Sequence, residues 1–225
     1  MYSSKHQRRW LGESLSKAII FDFDGTLINS KPVIEECFHK TTKELAPDRL
    51  KISKNILIGP PLRQTVSEIL GDPQHPLIEK FIKSFIQVHD NELLKRSMPY
   101  PGVNDTLINL HQHGVKMAIA TNKRMLPTKK IIKNFGCDDL FVYIECTDTY
   151  KIIQNKSQMI NKIVMKNSNF KTAFFVGDTV DDGLSAIKNK ILFIKVNYGY
   201  GKDQDWTKIK SHLSIDNFEE IKNII

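Results

Sequence analysis

Five short, almost uninterrupted apolar runs punctuate this chain, at residues 18–23 (AIIFDF), 115–120 (VKMAIA), 141–144 (FVYI), 173–176 (AFFV) and 191–196 (ILFIKV). A strand with one face in water alternates apolar and polar residues; these runs do not, so both of their faces need cover. Helix-length segments lie between most of them. Alternating strands and helices with strands apolar on both faces predict an α/β fold, a doubly wound parallel sheet of Rossmann-like type with helices on each side. At 225 residues and 40% hydrophobic, the chain is long enough to bury such a core.

Residues 31–97 break the rhythm. They contain no strand-like run, but carry helical periodicity at Ile34, Phe38, Thr41 and Leu45, and again at Leu77, Phe81, Phe85 and Val88. The stretch reads as an all-helical subdomain inserted into the α/β core. Its joints, Asn29-Ser30-Lys31-Pro32 and Met98-Pro99-Tyr100-Pro101-Gly102, are rich in turn formers. The expected organisation is a basic N-terminal extension over 1–17, a core over 18–30 and 98–225, and a helical cap over 31–97.

In parallel α/β sheets ligands bind beyond the carboxyl ends of the strands, and polar residues gather there in this sequence. Asp22 and Asp24 end the first run, Thr121-Asn122-Lys123 the second, and Gly177-Asp178-Thr179-Val180-Asp181-Asp182 the fourth. Acids brought that close oppose one another's ionisation unless a cation intervenes. A site of oxygen ligands favours a hard ion, and Mg²⁺ characteristically combines one or two carboxylates with water and a phosphate. A metal beside carboxylate, hydroxyl, amide and ammonium groups suits phosphoryl transfer. No GxxxxGK[ST] loop is present, so nucleotide-hydrolysing machinery of that type is not implied.

The net charge of +8 and pI of about 9.3 admit an anionic partner without choosing one. The densest basic run, Lys5-His6-Gln7-Arg8-Arg9, lies in the N-terminal extension and lacks the interleaved aromatics of a single-strand-binding surface, so nucleic acid is not the expected partner. Cys37, Cys137 and Cys146 form no CxxC pair and suggest neither a disulfide framework nor a thiolate zinc site. The sequence shows no signal-like apolar core near its start and no run of membrane-spanning length, which predicts a cytoplasmic protein with no membrane partner.

Taken in order, the DxDGT sequence Asp22–Thr26, the strand-ending Thr121, a lysine upstream of the last motif, and GDTxxD at Gly177–Asp182 resemble the haloacid dehalogenase superfamily. The resemblance runs from about Lys17 to about Gly201 and is nearest to the phosphoglycolate phosphatase-like branch with a helical cap. It implies that Asp22 is the nucleophile and a metal ligand. Asp24 is the general acid and base and lends its backbone carbonyl to the metal. Asp178 is the third protein ligand, with Asp182 ordering metal-bound water or Lys156. Thr121, Asn122 with its neighbouring amides, and Lys156 hold the phosphoryl oxygens. The branch often shows Lys-Pro at the lysine; no proline follows here, and Lys151 is the rival of Lys156.

Other polar residues carry weaker signals. Arg63, in the cap stretch Ile58–Thr65 (IGPPLRQT), either contacts a second anion on the substrate, as the resemblance suggests, or stands exposed at a helix start. Asp181 is as compatible with a solvated loop acid as with a supporting role. His111 and His113, just before Gly114, suit a helix C-terminus better than a metal site. The resemblance implies a Mg²⁺-dependent phosphomonoester hydrolase for a small phosphorylated metabolite, such as a phosphoglycolate-like compound, a sugar phosphate or a nucleotide, acting through an aspartyl-phosphate. A phosphomutase of the same fold is the alternative, and a non-catalytic phosphate- or nucleic-acid-binding protein a further one.

Overall fold

The computed structural model describes residues 18–209 and 213–225; the basic extension expected over 1–17 lies outside the described residues. Six strands form one parallel sheet, in the order β5-β4-β1-β6-β7-β8. They are β1 (Ala18–Phe21), β4 (Lys116–Thr121), β5 (Phe141–Cys146), β6 (Phe174–Gly177), β7 (Leu192–Val196) and β8 (Leu213–Ile215). The first five occupy the apolar runs. The sixth, only three residues long and half exposed, carries too little pattern to be seen in the sequence.

Alternate residues of β1 enter two different cores. Ile19 and Phe21 join Met117, Ile119 and Val176 on one face, whereas Ala18 and Ile20 join Ala118 and Phe175 on the other. Each burial of a large side chain of this kind is worth roughly 1.5–3 kcal/mol relative to exposure. This is why β1 is apolar at every position and lies between two neighbours.

Two further strands, β2 (Ile28–Asn29) and β3 (Met98–Pro99), pair antiparallel, with Ile28 opposite Pro99 and Asn29 opposite Met98. Between them run α1 (Lys31–Leu45), α2 (Leu50–Ser53), α3 (Leu62–Leu70) and α4 (Ile78–Val88), the last continuing into a π-helical turn at His89–Leu93. These helices bury their own cluster, including Val33, Phe38, Val66, Ile69, Phe81 and Phe85. The apolar positions read at helical spacing thus face one another rather than the sheet.

The sheet is covered on one face by α5 (Val103–Gln112) and α6 (Met125–Asn134), and on the other by α7 (Lys156–Lys166) and α8 (Val180–Lys188). Successive strands move from β1 to β4 and β5, and then jump back across β1 to β6. The order in which strands are added across the sheet therefore reverses beside β1, which leaves a crevice at its carboxyl end. No helix among the described residues is long and apolar enough to cross a membrane.

Candidate active site

β1 stops at Phe21, two residues before its apolar run does. The chain then folds back on itself, with the amides of Leu27 and Ile28 donating to the Phe23 carbonyl at 2.9 and 3.0 Å. Gly25 makes this turn with φ +87, and a Cβ there would stand 2.8 Å from the carboxyl carbon of Asp178. Only glycine meets both demands without strain. The turn presents Asp22 and Asp24 at the crevice, where Asp22 is 5% exposed.

Two capping boxes deliver the partners of Asp22. The first begins α7, where Asn155 accepts from the Gln158 amide and Gln158 accepts from the Asn155 amide, at 2.9 and 3.0 Å. Lys156 is the next residue, so its ammonium is directed onto the rim, where it donates to Asp22 and stands 2.9 Å from Asp182 Oδ1. The second box begins α8 with Thr179, whose hydroxyl and amide both donate to Asp182 Oδ2, at 2.7 and 3.0 Å. Asp182 thereby serves the helix start with one oxygen and Lys156 with the other. Lys151, by contrast, is exposed.

Asp178 is fully buried; its oxygens accept from the Thr26 hydroxyl at 3.2 Å and the Tyr200 amide at 2.6 Å. Ligand atoms of Asp22, Asp178 and Asp182 lie within 4.8 Å of one another. Burial, together with the neighbouring acids, pushes the Asp22 carboxyl well above the usual range despite Lys156, and Asp178 up to about 7. Burial opposes the Lys156 ammonium, but Asp182 and Asp22 outweigh it and hold it above the ordinary lysine value. Three acids face one ammonium. That deficit of positive charge in an all-oxygen setting fits a divalent cation.

Asp24 is held differently. Lys123 donates to its two oxygens at 3.0 and 3.3 Å, and the Ser30 hydroxyl donates to Oδ1. Thr121, 1% exposed at the end of β4, accepts from the Lys123 amide at 3.1 Å. The side chain of Asn122 reaches across the crevice instead, donating to the Gly59 carbonyl of the helical insert at 2.9 Å. Asp22, Asp24, Thr121, Asn122 and Lys123 line one side of a half-open cavity of about 710 Å³, solvent at its mouth included.

The other polar residues singled out in the sequence stand outside the crevice. Arg63 is half exposed, pairs with Glu79 and does not line the cavity; the arginine that does is Arg124, which donates to Asp90 Oδ1 and Oδ2 at 2.7 and 2.9 Å. Asp181 is exposed and outside the acidic cluster. His111 and His113 are exposed at the end of α5, with His113 Nδ1 2.8 Å from the Asn109 carbonyl. The sequence placed Lys123 on the rim without its partner Asp24, and gave no role to Ser30, His89, Arg124 or Tyr200. The tyrosine had one readable signal, its place in Tyr198-Gly199-Tyr200-Gly201, where a Cβ on Gly199 would stand 2.6 Å from the carboxyl carbon of Asp178.

A parallel sheet with this acid-lined crevice places the chain in a known class. The sequence model described as haloacid dehalogenase-like hydrolase matches residues 19–196, and the chain belongs to that family of hydrolases. A phosphoglycolate phosphatase of Photobacterium profundum is 26% identical over 219 residues, covering 93% of this chain and 95% of the relative. The pyrophosphatase PpaX of Halalkalibacterium halodurans is 29% identical over 169 residues, covering 73% and 75%. Among solved structures, a haloacid dehalogenase-like family hydrolase from Streptococcus pneumoniae superposes with a TM-score of 0.77 at 21% identity, over 92% of this chain and 96% of the other.

Proposed function

We propose that this hydrolase is a Mg²⁺-dependent phosphatase that cleaves small phosphomonoesters through an aspartyl-phosphate on Asp22. The observation that carries the reading is the buried cluster of Asp22, Asp178 and Asp182 around the single ammonium of Lys156. Asp22 and Asp178, with the backbone carbonyl of Asp24, would hold the ion; when bound, it neutralises charge on the acids and on the phosphoryl group.

The chain's own residues account for the remaining chemistry. Lys156 and the Thr121 hydroxyl bind and orient the phosphoryl oxygens. The Asp22 carboxylate forms an O–P bond as the ester O–P bond breaks, and Asp24 gives its proton to the departing alcohol oxygen. Asp24, now a carboxylate, takes a proton from water as that water attacks phosphorus. Inorganic phosphate leaves and Asp22 is regenerated. Lys123 and Ser30 fix the Asp24 carboxyl on the cavity side of the turn.

The helices between β2 and β3 act in this reading as a cap that covers the crevice. The Asn122–Gly59 and Arg124–Asp90 contacts hold it against the rim, excluding water from the acyl phosphate until it is positioned. The test is to mix the enzyme with p-nitrophenyl phosphate and Mg²⁺, quench in acid and read intact mass. A phosphorylated chain whose label maps to Asp22 supports the proposal; turnover with no covalent intermediate on that residue rejects it.

A further inference from the structure

The wall of the cavity opposite the acids is built by the insert and is mostly hydrocarbon. Ile34, Phe38, Leu57, Ile58, Leu62 and Phe85 contribute to it, with His89 its one titratable side chain among the described lining residues; the cations Lys123 and Arg124 reach the cavity from the core, just after β4.

Each of those three is committed. Lys123 stands on Asp24, and Arg124 on Asp90 through paired contacts. His89 is 3% exposed and its Nδ1 lies 2.8 Å from Asp90 Oδ1. Because a carboxylate only accepts, Nδ1 carries the ring proton and Nε2 is left as an acceptor. Burial and the Lys123 charge, set against Asp90, hold the ring neutral by lowering its pKa to about 4. Among the described residues each cation of the cavity lining thus stands against an acidic side chain, Lys123 against Asp24 and Arg124 against Asp90. Arg63, which would have supplied one, pairs with Glu79 outside the cavity.

A substrate carboxylate or second phosphate placed against this wall would lose its water and gain no counter-charge, whereas hydrocarbon placed there gains burial. We propose that the substrate of this site is a phosphomonoester whose alcohol portion is uncharged and largely hydrocarbon, aliphatic or aromatic, rather than a carboxylated or doubly phosphorylated compound. The inference rests on the phosphatase reading above and concerns only the group that leaves.

The test pairs esters with closely similar leaving alcohols, because alcohol acidity would otherwise confound the comparison. The wild-type chain with Mg²⁺ is given n-hexyl phosphate and the ω-carboxyalkyl phosphate of the same length, with methyl phosphate, 2-phosphoglycolate and inorganic pyrophosphate alongside, and phosphate release is measured. The expected result is a kcat/KM at least about tenfold higher for hexyl than for carboxyalkyl phosphate. From methyl to hexyl phosphate it should rise, by about fourfold per methylene at most.

Leu57 is 44% exposed, so Leu57→Lys should fold. By placing a free ammonium in the wall it should move the ratio toward the carboxylated ester by about tenfold or more. Equal or reversed preference in the wild type, or 2-phosphoglycolate or pyrophosphate as the best substrate, overturns the inference while leaving the phosphatase reading intact. A ratio unmoved in Leu57→Lys also overturns it. Turnover of no ester at all removes the phosphatase reading and this inference with it.

Discussion

The ammonium of Lys123 lies 3.0 Å from Asp24 Oδ1, joining the end of β4 to the turn after β1 in one partly buried ion pair. The acid that moves protons in the proposed reaction is thus held from the neighbouring strand. Lys123→Met should leave Asp24 with Ser30 alone and lower kcat, by less than the roughly 10² to 10⁴ expected for losing the proton donor itself. Lys123→Arg should recover part of the loss. Steady-state kinetics on one substrate decide it; a kcat unchanged in the methionine variant removes the positioning role.

Asp22 and Asp24 should separate cleanly when each is replaced by asparagine. Asp22→Asn loses the nucleophile and should show no phosphoenzyme and no turnover above background. Asp24→Asn keeps the backbone carbonyl and should accumulate phosphoenzyme with a good leaving group such as p-nitrophenolate, since only the second step then lacks its base. Intact mass after acid quench reads both outcomes, and label on the Asp22→Asn chain would refute the assignment.

Binding of Mg²⁺ should be visible in stability as well as in rate. A cation that binds only the folded chain adds about 2.7 kcal/mol at a hundred times its dissociation constant, so the thermal midpoint should climb with Mg²⁺ and fall in EDTA. Ca²⁺, larger and looser in coordination, should support little turnover. Asp178→Asn should flatten the Mg²⁺ dependence of the midpoint. A midpoint in that variant that rises as in the wild type would exclude Asp178 as a ligand.

Lys156 is buried between Asp22 and Asp182, so removing it leaves two acids without their cation. Lys156→Met should lose about 3–5 kcal/mol in urea unfolding, the cost of breaking a buried pair from one side. Lys151→Met, at an exposed position, should change stability by about 0.5 kcal/mol or less. Equal effects of the two would contradict the buried geometry.

His89 makes stability depend on pH in a definite direction. Its pKa is lowered from 6.5 to about 4 in the folded chain, chiefly by burial, so the unfolded chain binds the proton more readily. Its contribution is complete above about pH 6.5 and is lost as pH falls toward about 4. Between about pH 7 and pH 5 the wild type should lose about 2 kcal/mol more than His89→Gln does. Parallel pH profiles for the two proteins would show that the ring is not held neutral.

How much of this was legible in the sequence depended on the range of the interaction. Five strands could be read because each carries its signal locally, as an apolar run, and Asp22, Asp24, Thr121, Asp178 and Asp182 because they stand at strand ends in motifs. β8 was not legible, because three residues, only one of them buried, are too short to show a period. The roles of Ser30, Lys123 and Tyr200 were hidden because their partners are distant in sequence. Tyr200 accepts the Ser30 amide at 2.7 Å across the joint of the insert, and nothing near either residue announces the other. At Arg63 the local sequence left a substrate contact and an exposed helix start both open; the side chain stands half exposed at the helix start, and Glu79, sixteen positions away, takes its guanidinium.

The antiparallel pairing of Ile28 with Pro99 also bears on how the chain assembles. β1 must find β4, its sheet neighbour, across the whole helical segment, and the entropy of closing a loop grows with its length. The helices have a cluster of their own to collapse on, and the two-rung stem brings their ends together. Once that local unit has formed, the search left to β1 is the short span beyond the stem rather than the full contour. On this account the stem should close before the sheet pairs. A core mutation in the insert, such as Phe81→Ala, should therefore slow folding of the sheet that it never touches.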